Sequence, residues 1–384
     1  MIKDNVYYIG VNDKDIDLFE GQFEVSNGMS YNSYLIIDEH IAIFDTVDKN
    51  FGDEWLDNIS KALGDKKVDY LICSHMEPDH SANIKKFMDK YKNCKIVGTN
   101  LAFNMMKNLF LDDFIERRIV IKDNDELNLG LHTLKFITAP MVHWPEVMFT
   151  YDKTSKILFS ADAFGKFGSL DYDDPEGWAC EARRYYFGIV GKFGQNVEAV
   201  LKKVIQNDIN VICPLHGPIL DDNLSYYLEK YDTWSKYLPE DKGVCICYTS
   251  VYGHTKEAAQ ILEGELNKLN IKVSVFDLAR DDMAEALEDA FRYDRLVLAT
   301  TTYNGDIFPF MKTFINDLLD HNYQNRTIAF IENGMWAPMA SKKMKEYLAN
   351  LKNITYLENE VKILGNVSDD VKTQIKNMAL ELNK

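Results

Sequence analysis

The sequence predicts an α/β protein built from two successive domains. Short apolar strands mixed with helical patterns fill about the first 220 residues, and strands alternate regularly with helices from Gly243 onward. The length of 384 residues also suits two domains of roughly 100–200 residues each. With 46% hydrophobic and 27% charged residues, the composition is that of a globular protein.

The first domain, residues 1–240, is predicted to be a layered arrangement of short strands and helices. Tyr31–Ile37 and Ile41–Thr46 flank a short polar turn, a pattern typical of a β-hairpin. Further strands are predicted at Val68–Ser74, Lys95–Gly98, Leu134–Thr138, Ile157–Ser160 and Ile209–Cys213. Helical patterns lie between several of these strands, for example at Asn83–Tyr91 and Glu198–Gln206. One amphipathic helix over residues 221–240, ended by Pro239, is predicted to close the domain.

The second domain, residues 241–384, is predicted to be a doubly wound parallel sheet. Its strands are expected at Val244–Tyr248, Val273–Leu278, Arg295–Thr300, Thr327–Glu332 and Val361–Leu364. Its helices are expected at Thr255–Leu269, Met283–Ala290, Phe310–Leu319, Ser341–Leu351 and Asp369–Leu382. Repeated strand–helix units of this kind place parallel strands side by side, with helices on both faces of the sheet.

Charge and cysteine content exclude several function classes. The formal net charge of −17 leaves no basic surface for nucleic acid. No apolar run approaches the roughly 20 residues that span a bilayer, and the N-terminus lacks a signal-peptide pattern, so we expect a cytoplasmic protein without membrane partners. The six cysteines are scattered, without the spacing of a disulfide framework, zinc ribbon or iron–sulfur site. Cys245 and Cys247 share one face of a predicted strand and are expected to be core residues.

Residue types that bind metals cluster where predicted strands end. Because strand ends meet at one edge of a sheet, these side chains can converge. Four imidazoles and three carboxylates exceed the needs of one tetrahedral site, which indicates a two-metal centre, and a central carboxylate can bridge two ions. Each residue alone would more often be a strand-end cap or a surface charge, but the combination favours metal. The candidate ligands, also the candidate catalytic residues, are His75, Glu77, Asp79, His80, His143, Asp162 and His216.

The run His-x-Glu-x-Asp-His at residues 75–80 resembles the motif of the flavodiiron proteins, a branch of the metallo-β-lactamase superfamily. The family spacings also agree. There are 62 residues between His80 and His143, 18 between His143 and Asp162, and 53 between Asp162 and His216. The resemblance implies a metallo-β-lactamase-like αββα sandwich. Glu77 replaces a second histidine of the zinc hydrolases, and a harder, more oxygen-rich site suits iron.

The same resemblance implies how the ligands divide between two irons. It assigns His75, Glu77 and His143 to one iron, assigns Asp79, His80 and His216 to the other, and makes Asp162 the bridge. His80 is the least secure ligand, since its position does not bind metal in some members of the family.

A second group of candidate binding residues follows the first strand of the second domain. Hydroxyls, a glycine and backbone N–H groups at a helix start form an anion cradle, and the loop matches neither a nucleotide P-loop nor a dinucleotide fingerprint. It resembles the phosphate loop of flavodoxins and implies FMN on a five-stranded sheet of order 2-1-3-4-5. The loop residues are Thr249, Ser250, Val251, Tyr252, Gly253, His254 and Thr255. Two later loops are expected to hold the flavin ring, through Thr302, Tyr303, Asn304, Gly305, Asn333, Gly334, Met335 and Trp336.

Taken over the whole chain, the resemblance implies an oxidoreductase with FMN and two non-haem irons. Electrons from rubredoxin or a similar small carrier would pass through FMN, and the diiron centre would reduce O2 to water, NO to N2O, or both. The family also implies a head-to-tail homodimer or a dimer of dimers, with Trp144 and Trp336 as candidates for the junction between flavin and iron. We expect no fused rubredoxin or flavin-reductase module after the second domain.

Two other functions stay open at this point. A zinc-dependent hydrolase with a flavodoxin-like domain would use metal-activated hydroxide, although Glu77 argues against it. A flavin electron carrier would use the first domain only for binding. The preference between O2 and NO is open as well, because the two activities share the same ligands.

Overall fold

A computed structural model describes residues 1–172 and 174–384 of the chain. One compact unit consists of Met1–Tyr186 with Phe193–Asp232, and the other of Phe187–Lys192 with Thr233–Lys384. This division falls before residue 240, and the functional division into residues 1–240 and 241–384 stays a prediction. None of the helices in the described ranges combines the length and the apolar composition needed to cross a bilayer.

The first unit is built from short strands and from helices that lie between them. Its strands are β1 Val6–Tyr8, β2 Val11–Asp13, β3 Leu18–Phe19, β4 Phe23–Glu24, β5 Met29–Tyr31, β6 Tyr34–Ile36, β7 Ala42–Phe44, β8 Tyr70–Ile72, β9 Lys95–Thr99, β10 Arg118–Ile121, β11 Glu126–Asn128, β12 Thr133–Thr138, β13 Met148–Asp152, β14 Ile157–Phe159 and β15 Val211–Cys213. Its helices are α1 Gly52–Leu63, α2 Pro78–Ser81, α3 Ile84–Lys90, α4 Asn100–Phe110, α5 Trp178–Tyr185 and α6 Gly194–Val204, and α7 Leu224–Ser235 crosses into the second unit.

Two mixed sheets face each other across the core of this unit. Their strand orders are β1-β6-β7-β8-β9-β10 and β11-β12-β13-β14-β15. Buried side chains of both sheets form one apolar cluster, in which the rings of Phe44 and Phe159 stack 3.9 Å apart. Helix α4 packs on β9 and α6 packs on β12, so helices cover both outer faces. The predicted αββα sandwich is therefore confirmed, as is the hairpin, seen as antiparallel β6 and β7.

The prediction of one helix over residues 221–240 is wrong in its bounds. Helix α7 covers only Leu224–Ser235. Tyr237 has a φ of 56°, a left-handed conformation that ends the helix before Pro239. The Tyr237 hydroxyl donates to the carbonyl of Gly191 at 2.8 Å, so a tertiary contact fixes this conformation.

The second unit alternates strand and helix almost as predicted. Its strands are β16 Asp241–Tyr248, β17 Val273–Asp277, β18 Tyr293–Tyr303, β19 Asp306–Ile307, β20 Thr327–Asn333, β21 Thr355–Tyr356 and β22 Val361–Ile363. Its helices are α8 His254–Lys268, α9 Met283–Arg292, α10 Pro309–Asp320, α11 Ala340–Tyr347 and α12 Asp369–Leu382. The fifth strand is divided, since β21 and β22 both pair with β20.

The sheet of this unit has the flavodoxin-like order 2-1-3-4-5, here β17-β16-β18-β20-β21. Val244 and Ile246 of β16 pack in the core cluster that helices α8 and α12 complete. Cys245 and Cys247 lie on the opposite face, fully buried, with sulfur atoms 3.6 Å apart. The expectation that both cysteines are core residues is therefore confirmed.

Candidate metal centre and flavin site

Four separate segments of the first unit carry the predicted metal ligands to one edge of the sandwich. The ligands come from the turn after β8 and helix α2 (His75, Glu77, Asp79, His80), the β12–β13 loop (His143), the end of β14 (Asp162) and the end of β15 (His216). In the described chain they fall into two groups, and the ligand atoms within each group lie within 4.8 Å of one another. Glu77 is half-buried and the others are buried, so the groups lie inside the protein.

The first group joins four ligand atoms around one point. His75 Nε2 lies 3.2 Å from His143 Nε2 and 3.3 Å from Glu77 Oε2. His143 Nε2 lies 2.9 Å from Glu77 Oε2 and 3.1 Å from Asp162 Oδ2. These contacts bring two imidazole nitrogens and two carboxylate oxygens within reach of a single cation.

The second group lies on the other side of Asp162. His80 Nε2 is 2.9 Å from His216 Nε2, and Asp79 Oδ2 is 3.3 Å and 3.2 Å from those two nitrogens. The second oxygen of Asp162, Oδ1, lies 3.3 Å from His80 Nε2. One carboxylate therefore presents one oxygen to each group, as a bridging ligand would.

The donor set fits two metal ions. Both carboxylate oxygens of Asp79, Oδ1 of Asp162 and Nδ1 of His80 are buried and make no hydrogen bond among the described residues, although Asp79 Oδ2 and Asp162 Oδ1 lie close to imidazole nitrogens. A buried anionic oxygen without a partner is costly, and a bound cation removes that cost. A site made of imidazoles and several carboxylates favours a harder metal ion than a site made of cysteine thiolates does. That these side chains bind iron stays a prediction.

The carboxylates control protonation of the imidazoles in the metal-free chain. Burial alone would lower the pKa of His75, but the charges of Asp162, Glu146 and Glu77 hold that pKa well above its ordinary value. Burial likewise opposes protonation of His143, yet its hydrogen bonds to Asp162 and Glu77 raise its pKa to about 9. Metal ligands must be deprotonated, so metal binding here would release protons.

Three residues that the sequence analysis missed hold the ligands in place. Glu146 Oε1 lies 2.8 Å from His75 Nδ1, and Nδ1–H donates to it. Asp45 accepts the backbone N–H of Ser74 at 2.7 Å and that of His75 at 3.2 Å. The Ser30 carbonyl lies 2.7 Å from Nδ1 of His216. Glu146 follows His143 by three residues, which is the one signal in the sequence that points to it.

Tyr185 is a fourth residue beside the metal groups that the sequence did not reveal. Its ring lies 5.6 Å from that of His216, and it is fully buried. Burial, followed by the charges of Asp162 and Glu77, raises its pKa well above the ordinary value, so the hydroxyl keeps its proton. That hydroxyl has no hydrogen-bond partner within the residues described.

In the second unit, the structure brings the three predicted flavin loops together at the carboxyl edge of the sheet. Thr249 Oγ1 lies 2.6 Å from Oγ1 of Thr300, near the carboxyl end of β18. The amide of Asn333 donates to the hydroxyl of Thr255 at 3.2 Å, which joins the first loop to the third. The backbone N–H of Met339 donates to Thr302 Oγ1 at 2.9 Å and joins the third loop to the second.

The first loop has the geometry of an anion cradle. Gly253 precedes α8 with a φ of 95°, which a residue with a side chain rarely adopts. Its N–H donates to the Ser250 hydroxyl at 3.1 Å, and the helix start behind it favours negative charge. Thr255 is buried there, whereas His254 lies 3.8 Å from Glu257.

Large apolar side chains of the same loops remain open to solvent. Tyr252 is 90% exposed, Trp336 81% and Met335 70%, while Tyr303 and Val251 are less exposed. Asn304 and Gly305 form the tight turn between β18 and β19, both with positive φ. Close packing fixes Gly334, because a Cβ there would lie 3.1 Å from Pro338. A planar apolar ligand beside these side chains would cover them, which fits a flavin ring.

Family models match both parts of the chain. Residues 29–217 match the ODP family beta lactamase model, and residues 245–367 match a flavodoxin domain model. The chain is 30% identical over 357 residues to the nitric oxide reductase of Moorella thermoacetica, covering 90% of this chain and 88% of that protein.

Two further relatives match along most of the chain. It is 32% identical over 296 residues to diflavin flavoprotein A 1 of Synechocystis, covering 75% of this chain but only 51% of that longer protein. The crystal structure of the flavodiiron protein from Giardia intestinalis has a TM-score of 0.92 at 26% identity, covering 99% of this chain and 94% of that one.

Proposed function

Because the chain belongs to the flavodiiron protein family of oxidoreductases, with FMN and a non-haem diiron centre as cofactors, we propose that it reduces NO to N2O, O2 to water, or both. When bound, FMN would accept electrons from an external carrier and the two irons would supply them to the gas. The chain's own residues hold both cofactors, shape access to them and supply hydrogen bonds.

The observation that carries this proposal is the position of Asp162 between the two ligand groups. Its two oxygens face different groups at 3.1 Å and 3.3 Å from the nearest imidazole nitrogens. We propose that Asp162 bridges the irons. The proposed ligands of one iron are His75, Glu77 and His143, and those of the other are Asp79, His80 and His216. The charges support two divalent cations, because three carboxylates that converge in a buried site offset most of the positive charge of two such ions.

For FMN, we propose that the loop of residues 249–255 holds the phosphate and that the loops at 302–305 and 333–336 hold the ring. Support comes from the backbone N–H groups at the start of α8 and from the hydroxyl of the buried Thr255. The exposed rings of Tyr303 and Trp336 supply apolar surface for the isoalloxazine.

Electron transfer between the cofactors is proposed to need a second copy of the chain. We propose a head-to-tail homodimer or a dimer of dimers, with Trp144 and Trp336 at the junction. The ring of Trp144 lies 5.3 Å from that of His75, which supports its place beside the metal centre. The proposed donor is rubredoxin or a similar carrier in the cytoplasm, and the free cysteines fit a reducing compartment.

The test combines cofactor analysis with gas turnover. Protein purified without oxygen should contain FMN and two irons per chain, and the chemically reduced enzyme should consume NO, O2 or both in an anaerobic titration. Glu77→Ala should lose iron and turnover while keeping FMN. Glu126→Ala, which removes an exposed ion pair with Lys153 at 2.8 Å, is the matched control and should keep all three.

Three outcomes contradict the proposal. Zinc without iron in native protein would favour the hydrolase. Unchanged gas consumption by Glu77→Ala with FMN bound would favour the electron carrier. Undiminished transfer of electrons from flavin to iron in an enforced monomer would remove the role of the second copy.

A further inference from the structure

We propose that Glu146 is a positioning residue that makes the subsite of His75, Glu77 and His143 the tighter of the two metal subsites. This inference rests on the proposed function, because it takes the two ligand groups as metal sites. It concerns the partners of the imidazole nitrogens that face away from the metals. Those outward partners differ in charge between the two groups.

Glu146 is held rigidly against the back of His75. Its Oε1 accepts His75 Nδ1–H at 2.8 Å and the backbone N–H of Met76 at 2.8 Å. Its own carbonyl accepts the hydroxyl of Thr99 at 3.1 Å. Both side chains of the His75–Glu146 pair are fully buried. The carboxylate therefore fixes the His75 tautomer that presents Nε2 to a metal, and it makes that nitrogen a stronger donor.

Among the described residues, no carboxylate hydrogen-bonds the outward nitrogens of the second group. His216 Nδ1 faces the neutral carbonyl of Ser30 at 2.7 Å. His80 Nδ1 is buried and has no hydrogen-bond partner in the described part of the chain. With Nε2 bound to a metal, His80 Nδ1 would carry a proton that no acceptor receives, which weakens His80 as a ligand.

The charges reinforce this difference. Each subsite has one carboxylate ligand besides the shared Asp162, namely Glu77 or Asp79, and Glu146 adds a further carboxylate bonded directly to a ligand imidazole of the first subsite. Asp45, whose charge also acts on His80, instead accepts the backbone N–H groups of Ser74 and His75. An additional buried negative charge attracts a divalent cation with little screening. Removing an outer partner of a metal-bound histidine typically lowers metal affinity about 10- to 100-fold. We expect an effect of that size, confined to the first subsite.

The experiment titrates metal-free protein with Co²⁺ in competition with a chelator, anaerobically. Glu146→Gln keeps the shape of the side chain and removes its charge. The variant is measured alone, with His216→Ala to disable the second subsite, and with His143→Ala to disable the first. We expect Glu146→Gln to weaken Co²⁺ binding about 10- to 100-fold in the His216→Ala background and to leave it unchanged in the His143→Ala background.

A matched control lies in the same unit. Asp152 Oδ2 is 2.7 Å from His132 Nδ1, and this pair is also buried but belongs to neither metal group. Asp152→Asn should leave both Co²⁺ affinities unchanged, whatever it does to stability. Should Glu146→Gln fail to fold, Glu146→Asp keeps the charge at a shorter reach, and we expect an intermediate affinity.

Equal Co²⁺ affinities with and without Glu146→Gln would overturn the inference, as would an equal loss at both subsites. Neither result would contradict the proposed function, provided that the wild type binds two cations. If the wild type binds fewer than two, the proposed function fails instead. The two failures are therefore distinguishable.

Discussion

Replacing Tyr185 by Phe is expected to stabilise the metal-free protein and to slow gas reduction. The Tyr185 hydroxyl is buried and lacks a hydrogen-bond partner among the residues described, a condition that costs about 1–3 kcal/mol. The substitution removes that cost, and for a domain of 150–250 residues the melting temperature should rise by about 2–4 °C per kcal/mol. The charges of Asp162 and Glu77 act on this hydroxyl, so we expect it to donate to a substrate that binds between the ligand groups. Losing a hydrogen bond to a charged group, about 1.5–3 kcal/mol, should slow turnover about 10- to 100-fold.

Calorimetry of metal-free protein and gas uptake by the loaded enzyme measure the two effects. Tyr34→Phe is the matched control, because Tyr34 is equally buried but its hydroxyl donates to the Pro214 carbonyl at 2.6 Å. Loss of this hydrogen bond in Tyr34→Phe should lower the free energy of unfolding by about 1 kcal/mol. A lower melting temperature for metal-free Tyr185→Phe, or an unchanged rate of gas uptake, would refute the reasoning.

Three further predictions follow from the site geometry. Asp162→Asn offers one carbonyl oxygen instead of two carboxylate oxygens, so elemental analysis should find at most one metal per chain; retention of both would exclude the bridge. Gly253→Ala should weaken FMN binding about 5- to 30-fold in a fluorescence titration, because a φ of 95° costs a side chain about 1–2 kcal/mol, which the free loop can relieve and FMN binding must restore. The added Cβ meets no atom within 4 Å, so equal affinity would show that FMN binding does not require this φ. The folded-state pKa of His143 is about 9 against an ordinary 6.5, so its stabilisation of the metal-free chain is complete below pH 6.5 and lost as pH rises through 9. The urea concentration at half-unfolding of the metal-free chain should therefore fall between pH 6.5 and 9. An equally steep fall in His143→Gln would show that His143 is not its cause.

The order and type of the main elements of the second domain were predictable from sequence, with bounds that differ from the observed ones by up to four residues. Its strands are continuous apolar runs because both faces of the sheet are covered, and its helices lie between clear end signals. Helix α12 begins at Asp369 as predicted, after Ser368, whose hydroxyl accepts the backbone N–H of Val371 at 3.3 Å. The strand Thr355–Tyr356 escaped prediction, since two partly exposed residues show no periodicity.

The first domain was less predictable because its elements are short. Strands β1 to β4 have two or three residues each, which is too few for alternation to appear. The bounds of α7 were wrong because a contact between Tyr237 and Gly191, distant in sequence, decides where the chain leaves the helix. Helix propensity depends on neighbouring residues in the sequence, so it cannot predict a helix end that such a contact sets.

The sequence by itself predicted the candidate metal ligands and their positions after strands, and the motif at residues 75–80 indicated a two-metal centre. Only the tertiary structure decided that Asp162 presents one oxygen to each ligand group, that Glu146 lies behind His75, and that the Tyr185 hydroxyl has no partner in the described chain. The physical reason is that these relations join segments tens of residues apart. Their distances are set by the packing of two sheets on a common core, which no local pattern encodes.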